Sequence, residues 1–171
     1  MKRLVQLALI PLMVLTMVVS CSEKSLVPGD KVGEMVLLNQ CDGVNILDLC
    51  SFDELFSGSC QIPVSAGDLW VSAGWGEPTS NELEQAWKDS TWSMTFDDHK
   101  VDLTKFGTYD LDIPDPNLGL LKGRVWSFCI NNPSIGLHTA RYDFQFVHGS
   151  RPGKNAQDWT FTIVEASTSN P

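Results

Sequence analysis

The sequence predicts an all-β sandwich of about seven strands with one short helix. Three segments carry the prediction. Trp92, Met94 and Phe96 alternate with Thr91, Ser93 and Thr95. In Leu137–Val147, Ala140, Tyr142, Phe144 and Phe146 alternate with Thr139, Arg141, Asp143 and Gln145. Trp159, Phe161 and Ile163 alternate with Asp158, Thr160 and Thr162. A period of two with one apolar and one polar face marks strands whose sheet packs on one side only. Dense turn signals separate them, such as Asn131-Asn132-Pro133-Ser134. Connections of this size suit two sheets packed face to face.

The chain opens on a different pattern. Lys2 and Arg3 precede an apolar run from Leu4 to Val19, interrupted by Gln6, Pro11 and Thr16. A basic head, an apolar core and a small residue before a cut describe a secretory leader, residues 1–20. Its end, Val18-Val19-Ser20-Cys21, resembles the lipobox of bacterial lipoproteins, with Val18 where Leu is commoner. The resemblance implies cleavage before Cys21, a lipid on its sulfur, and attachment to the cell or outer membrane on the extracytoplasmic side. The competing readings are an ordinary leader with Cys21 unmodified, and an uncleaved anchor. The apolar run is 16 residues long, short of the about 20 that span a bilayer. No later run matches it.

Removing residues 1–20 leaves ten basic and 21 acidic side chains, a net charge of −11. Phosphate backbones repel such a chain, so nucleic acid is not expected as a partner. The remaining length suits one domain with a core of its own. Four cysteines follow Cys21: Cys41, Cys50, Cys60 and Cys129. In an oxidising compartment they are disulfide candidates, with three possible pairings. If all four pair, one bridge joins two of the first three, and another ties this segment to Cys129. Spacings of nine and ten residues lack the close cysteine pairs of structural zinc sites.

Residues 21–31 read as a polar tether containing Pro28-Gly29, and residues 32–166 as one domain. Val32–Leu38 suits a first strand. The segment to Cys60 lacks a clean period, and 32–60 is expected to be irregular and cysteine-rich, with a helical turn near Phe52–Phe56. Leu69, Val71 and Ala73 alternate with Trp70 and Ser72 in a strand that Gly74-Trp75-Gly76-Glu77-Pro78 ends. Thr79 and Glu82 make a capping box for a helix over Ser80–Lys88. Asp97-Asp98-His99-Lys100 turns the chain into a return strand, Val101–Leu103. Thr104–Leu120, with Gly107, Pro114, Pro116 and Gly119, is expected to be loop with at most a short edge strand. Leu121–Ile130 is a strand with Trp126, Phe128 and Ile130 on one face. Residues 167–171 form a loose polar tail.

From Pro133 to Phe146, a turn, Gly136, Thr139 and an alternating aromatic strand resemble the penultimate strand of bacterial immunoglobulin-like modules. With about seven strands, the resemblance implies an immunoglobulin-like β-sandwich over roughly residues 62–166. It carries no functional residues.

Three kinds of site are candidates. Trp92, Trp126 and Trp159 lie on apolar faces and read as core. Trp70 opposes that face and Trp75 sits between glycines, so these two are the candidate platform for a glycan or protein ligand. Asp110, Asp112, Asp115 and Asn117 offer oxygen ligands for calcium from a bent loop, against the simpler reading of a solvated acidic surface. Catalytic patterns are weak. His99, His138 and His148 stand apart in sequence. No Gly-x-Ser-x-Gly elbow is present. Gly149–Lys154 is one residue short of a phosphate loop and runs into Asn155. The sequence therefore predicts a non-enzymatic, membrane-anchored binding or adhesion module. The alternatives are an accessory subunit of a larger envelope complex and a small extracytoplasmic hydrolase.

Overall fold

The computed structural model describes residues 24–166. The leader, Cys21 and the tail 167–171 lie outside the described residues.

Two short strands open the fold, β1 (Lys31–Val32) and β2 (Met35–Leu38). The cysteine-rich segment follows as β3 (Val44–Asn45), α1 (Ile46–Leu49), α2 (Phe52–Ser57) and β4 (Cys60–Pro63). The centre holds β5 (Leu69–Glu77), α3 (Ser80–Trp87), β6 (Thr91–Phe96), β7 (His99–Val101) and α4 (Leu103–Phe106). Last come β8 (Thr108–Asp115), β9 (Gly119–Asn131), β10 (Gly136–Phe146) and β11 (Gly153–Val164). One sheet runs β1-β2-β9-β5-β3, with β8 also paired to β9; the other runs β4-β11-β10-β6-β7. β5 occupies one edge of β9 over residues 122–130, so β8 (on 119–126) and β2 (on 129–131) share the other.

The two inner faces form the core. Leu69, Val71 and Ala73 of β5 and Phe128 and Ile130 of β9 are buried. Across from them lie Met94, Phe96, Ala140, Tyr142, Phe144, Phe146, Trp159, Phe161 and Ile163, also buried. Each such large side chain contributes about 1.5–3 kcal/mol of transfer free energy. The three segments with the clearest alternation thus become β6, β10 and β11 of one sheet.

The structure departs from the sequence expectations in several places; the return strand of the hairpin, for one, is His99–Val101, and Leu103 already opens α4. The segment before Cys60 is not irregular. Asn45 caps α1 through Leu47 N, and Ser51 and Glu54 make a full capping box on α2, which Gly58 ends in the left-handed region. Among the described residues there are eleven strand segments and four short α-helices, against an expectation of about seven strands and one helix. β5 does not stop at Gly74 but runs on to Glu77. Chain order also begins earlier than a tether to residue 31 implies. Leu26 is buried, its N–H donates to Lys100 O at 2.7 Å, and its carbonyl accepts from Asp102 N at 2.9 Å.

Both disulfides form, Cys41–Cys129 and Cys50–Cys60, with Cα separations of 6.2 and 5.8 Å. They are what an oxidising, extracytoplasmic compartment permits. Among the described residues no helix is long and apolar enough to cross a membrane.

The Asp97-Asp98 tip of the β6–β7 hairpin has φ of 45° and 64°, the left-handed pair that suits a tight hairpin. Asp97 then fastens β10. Its Oδ1 accepts from Thr139 N and its Oδ2 lies 2.8 Å from His138 Nδ1, while His138 Nε2 lies 2.8 Å from Ser134 O. Burial pushes the imidazole down, but the Asp97 and Ser134 hydrogen bonds and the Asp97 charge together raise it above its ordinary value. With both nitrogens facing acceptors, the protonated ring is the better fit. A raised folded value means that this contribution is full below the ordinary histidine value and is lost as pH rises through the folded one. We therefore expect the melting-point advantage of the wild type over His138→Gln to be largest near about pH 5.5 and to shrink by about pH 8.5. Thermal unfolding of both proteins checks it, and an advantage that grows with pH would contradict it.

Candidate functional site

The outer face of the β5–β9–β8 sheet carries a groove of about 560 Å³. Its size is that of small-ligand sites. Trp70 stands on β5 on this face, with Cys129 of β9 opposite on one side and Asn45 of β3 on the other. Cys129 points the same way, and its bridge to Cys41 holds residues 39–43 against the sheet as a wall. The approach is close. A Cβ on Gly43 would stand 2.5 Å from Asp68 O and 2.9 Å from Cys41 Sγ. Val44 N donates to that same carbonyl, and the Asp68 carboxylate accepts from Asn131 Nδ2 and Asn132 N.

Tyr109 forms the opposite wall. It lies across from Val125 on β8, and its hydroxyl is 3.2 Å from Ser72 Oγ, which is 2.8 Å from Ser127 Oγ. Ser72 and Ser127 are buried, whereas Tyr109 is 42% exposed. The hydroxyl chain fixes the end of the phenol and leaves its ring open. Asn39, Gln40, Asp48 and Thr108 line the same groove and are exposed, and Trp70 is half-buried. An indole and a phenol ring flanked by amides, a carboxylate and a hydroxyl can pack the C–H face of a sugar ring and hydrogen-bond its hydroxyls. Tyr109 is hidden by the loop reading of 104–120, although its alternation with Leu111 and Ile113 is a strand signal, and Asn39 and Gln40 lie in the segment without a clean period. Only Trp70 signalled this face.

Trp75 does not join Trp70. It lies within β5, not in a loop, with its ring 4.8 Å from Phe146, and its Nε1 donates to Glu77 Oε1 at 2.8 Å. Glu77 is buried, and the same oxygen accepts from Ser150 N and Oγ, both at 3.0 Å. Trp75 thus closes one end of the core.

The acidic run is a strand, not a bent loop. Asp112 pairs with Lys122 at 2.7 Å and Asp110 with Arg124 at 2.6 Å. The Arg124 hydrogen bond holds the Asp110 carboxyl below the usual range. Asp115 accepts from Asn117 N and Leu118 N, both at 2.8 Å, which shapes the β8–β9 turn and lowers its carboxyl likewise. The calcium reading needs these carboxylates to converge, and the strand spreads them over separate partners. Among the described residues, three ligand atoms converge at Cys41, Asp68 and Cys129, where both sulfurs are in the disulfide.

A second groove, of about 650 Å³, is lined by Trp87, Trp92 and Trp126. Trp92 and Trp126, expected in the core, are half-buried; Trp159 is the fully buried one. The Trp87 ring lies 5.1 Å from Trp92 and 6.1 Å from Trp126. Arg124, paired with Asp110 and Glu84, sits 5.8 Å over Trp87. The histidines are dispersed: His99 on β7, His138 buried on β10, and His148 exposed 3.7 Å from Asp89.

No family model matches the chain, and neither the curated proteins nor the solved structures contain a match to it.

Proposed function

We propose that this protein is an exported, lipid-anchored, non-enzymatic module that binds a glycan in the Trp70–Tyr109 groove. The observation that carries the reading is the groove itself: two aromatic rings on one face, walled by exposed Asn39, Gln40, Asp48 and Thr108. Its ligand is a neutral or basic glycan, because a mature charge of −11 repels acidic polymers. The lipobox resemblance at Cys21 and the two disulfides support export. The fold underneath is an immunoglobulin-like Greek key. That assignment is supported by β5, β9 and β8 in one sheet, β6, β10 and β11 in the other, and β4 parallel to the last strand.

Trp70→Ala tests the reading. Calorimetric titration of the purified protein with soluble hexaoses of glucose, xylose, mannose and N-acetylglucosamine is expected to find a binder. The substitution is expected to weaken it roughly 30-fold, the effect of a hot-spot aromatic of about 2 kcal/mol. The melting point should change little, since Trp70 stands outside the core. Unchanged affinity would move the site elsewhere. If none of these sugars binds, the docking-subunit reading becomes the better one.

A further inference from the structure

We infer that the second groove is the seat of an acyl chain carried by Cys21, which shields that chain from water before it enters a membrane. The inference rests on the lipoprotein reading of Val18–Cys21. The groove runs along the free edge of β6. β7 pairs with β6 only over Met94–Phe96, so among the described residues Thr91–Ser93 have no strand beside them on that side. The groove is lined by the three indoles with Met94 and Leu103, and by hydroxyls such as Ser90 and Ser93. More of that surface is apolar than polar, and the indoles suit a hydrocarbon chain.

The N-terminal chain supplies the occupant. Ser25 lines the groove. The next residue, Leu26, is pinned on both sides of its backbone to Lys100 and Asp102 and bridges Val101 in parallel. The chain therefore enters the fold at the mouth of the groove. Cys21 lies four residues before Ser25. A chain advances at most about 3.3–3.6 Å per residue, so the Cα of the lipid-bearing cysteine stays within about 14 Å of the Ser25 Cα. A chain anchored so close meets this apolar surface at high effective concentration. Lys100, Asp102 and Asp143 lie at the rim, where the polar ester and amide groups of a lipidated cysteine would sit. In a bilayer the hydrocarbon has a better solvent, and the groove empties.

The test uses the processed protein from a bacterial host, moved from detergent into detergent-free buffer, with the lipid on Cys21 verified by mass. Its partner is the same protein with Ser93→Arg, a change at an exposed lining position, opposite Asp143, that adds a long charged side chain to the groove. Amide exchange over Trp87–Thr95 and Lys100–Thr104 is expected to be roughly tenfold slower in the wild type. Phosphatidylcholine vesicles should remove that difference. Light scattering should show a monomeric wild type and an associated Ser93→Arg form. Lipid present with identical exchange and equal association would overturn the inference while leaving the lipoprotein reading in place. A mass without lipid would overturn both.

Discussion

Replacing Cys41 and Cys129 together by alanine is expected to lower the unfolding free energy by about 4–5 kcal/mol and to abolish ligand binding in the Trp70 groove. The bridge spans 88 residues of sequence, and closing a loop of that length removes about this much chain entropy from the unfolded state. Domains have only about 5–15 kcal/mol in total, so the loss is a large share. The Cys50–Cys60 bridge spans 10 residues, and its loss should cost less, about 3 kcal/mol. The site makes the first bridge distinctive. Cys129 sits on β9 directly opposite Trp70, and Cys41 carries the wall that holds Asn39 and Gln40. Chemical denaturation of each double variant measures the first effect, and titration with the bound hexaose measures the second. A Cys41–Cys129 variant that is destabilised yet still binds would show that the wall is not part of the site.

Gly74→Ala is expected to destabilise the protein by about 3 kcal/mol, although alanine is usually the better residue inside a strand. A Cβ there would overlap Arg124 O and stand 2.5 Å from Val125 Cα. Both belong to β9, the strand that pairs with β5 residue for residue from Leu69 to Glu77. Backbone cannot swing aside as a side chain can, so the ladder must separate locally. Thermal and denaturant unfolding of this single variant tests the effect. A change under about 0.5 kcal/mol, ordinary for surface substitutions, would mean that the two strands are further apart at this point.

Gly74 also shows where sequence reasoning stops. Glycine and tryptophan in alternation look like the end of a strand. The strand continues because β9 comes too near for any side chain, and that crowding belongs to the partner strand. β6, β10 and β11 were legible because burial on one face writes a period of two into the chain. β8 was not. It is an edge strand paired with β9 alone and mostly exposed. Tyr109, Leu111 and Ile113 alternate with Asp110 and Asp112, but Pro114 and Pro116 speak against a strand, and only an edge tolerates such a proline. Reading it as loop turned Asp110 and Asp112 into candidate metal ligands and hid Tyr109. Trp70 was legible as an outward indole on an alternating strand. Trp75 was misplaced with the glycines around it. The half-exposed edge of Trp92 and Trp126 depends on how short β7 is, which no local pattern reports. Spacing restricts the pairings of four cysteines without choosing among them, so only the fold selects Cys41–Cys129.

The most direct test of the account is where a bound sugar touches the protein. Each of the six tryptophans gives its own indole N–H resonance. The bound hexaose, titrated into labelled protein, is expected to shift the Trp70 signal and amides around Asn39, Gln40 and Thr108, and to leave buried Trp159 unmoved. Shifts centred on Trp87, Trp92 and Trp126, with Trp70 unmoved, would contradict it.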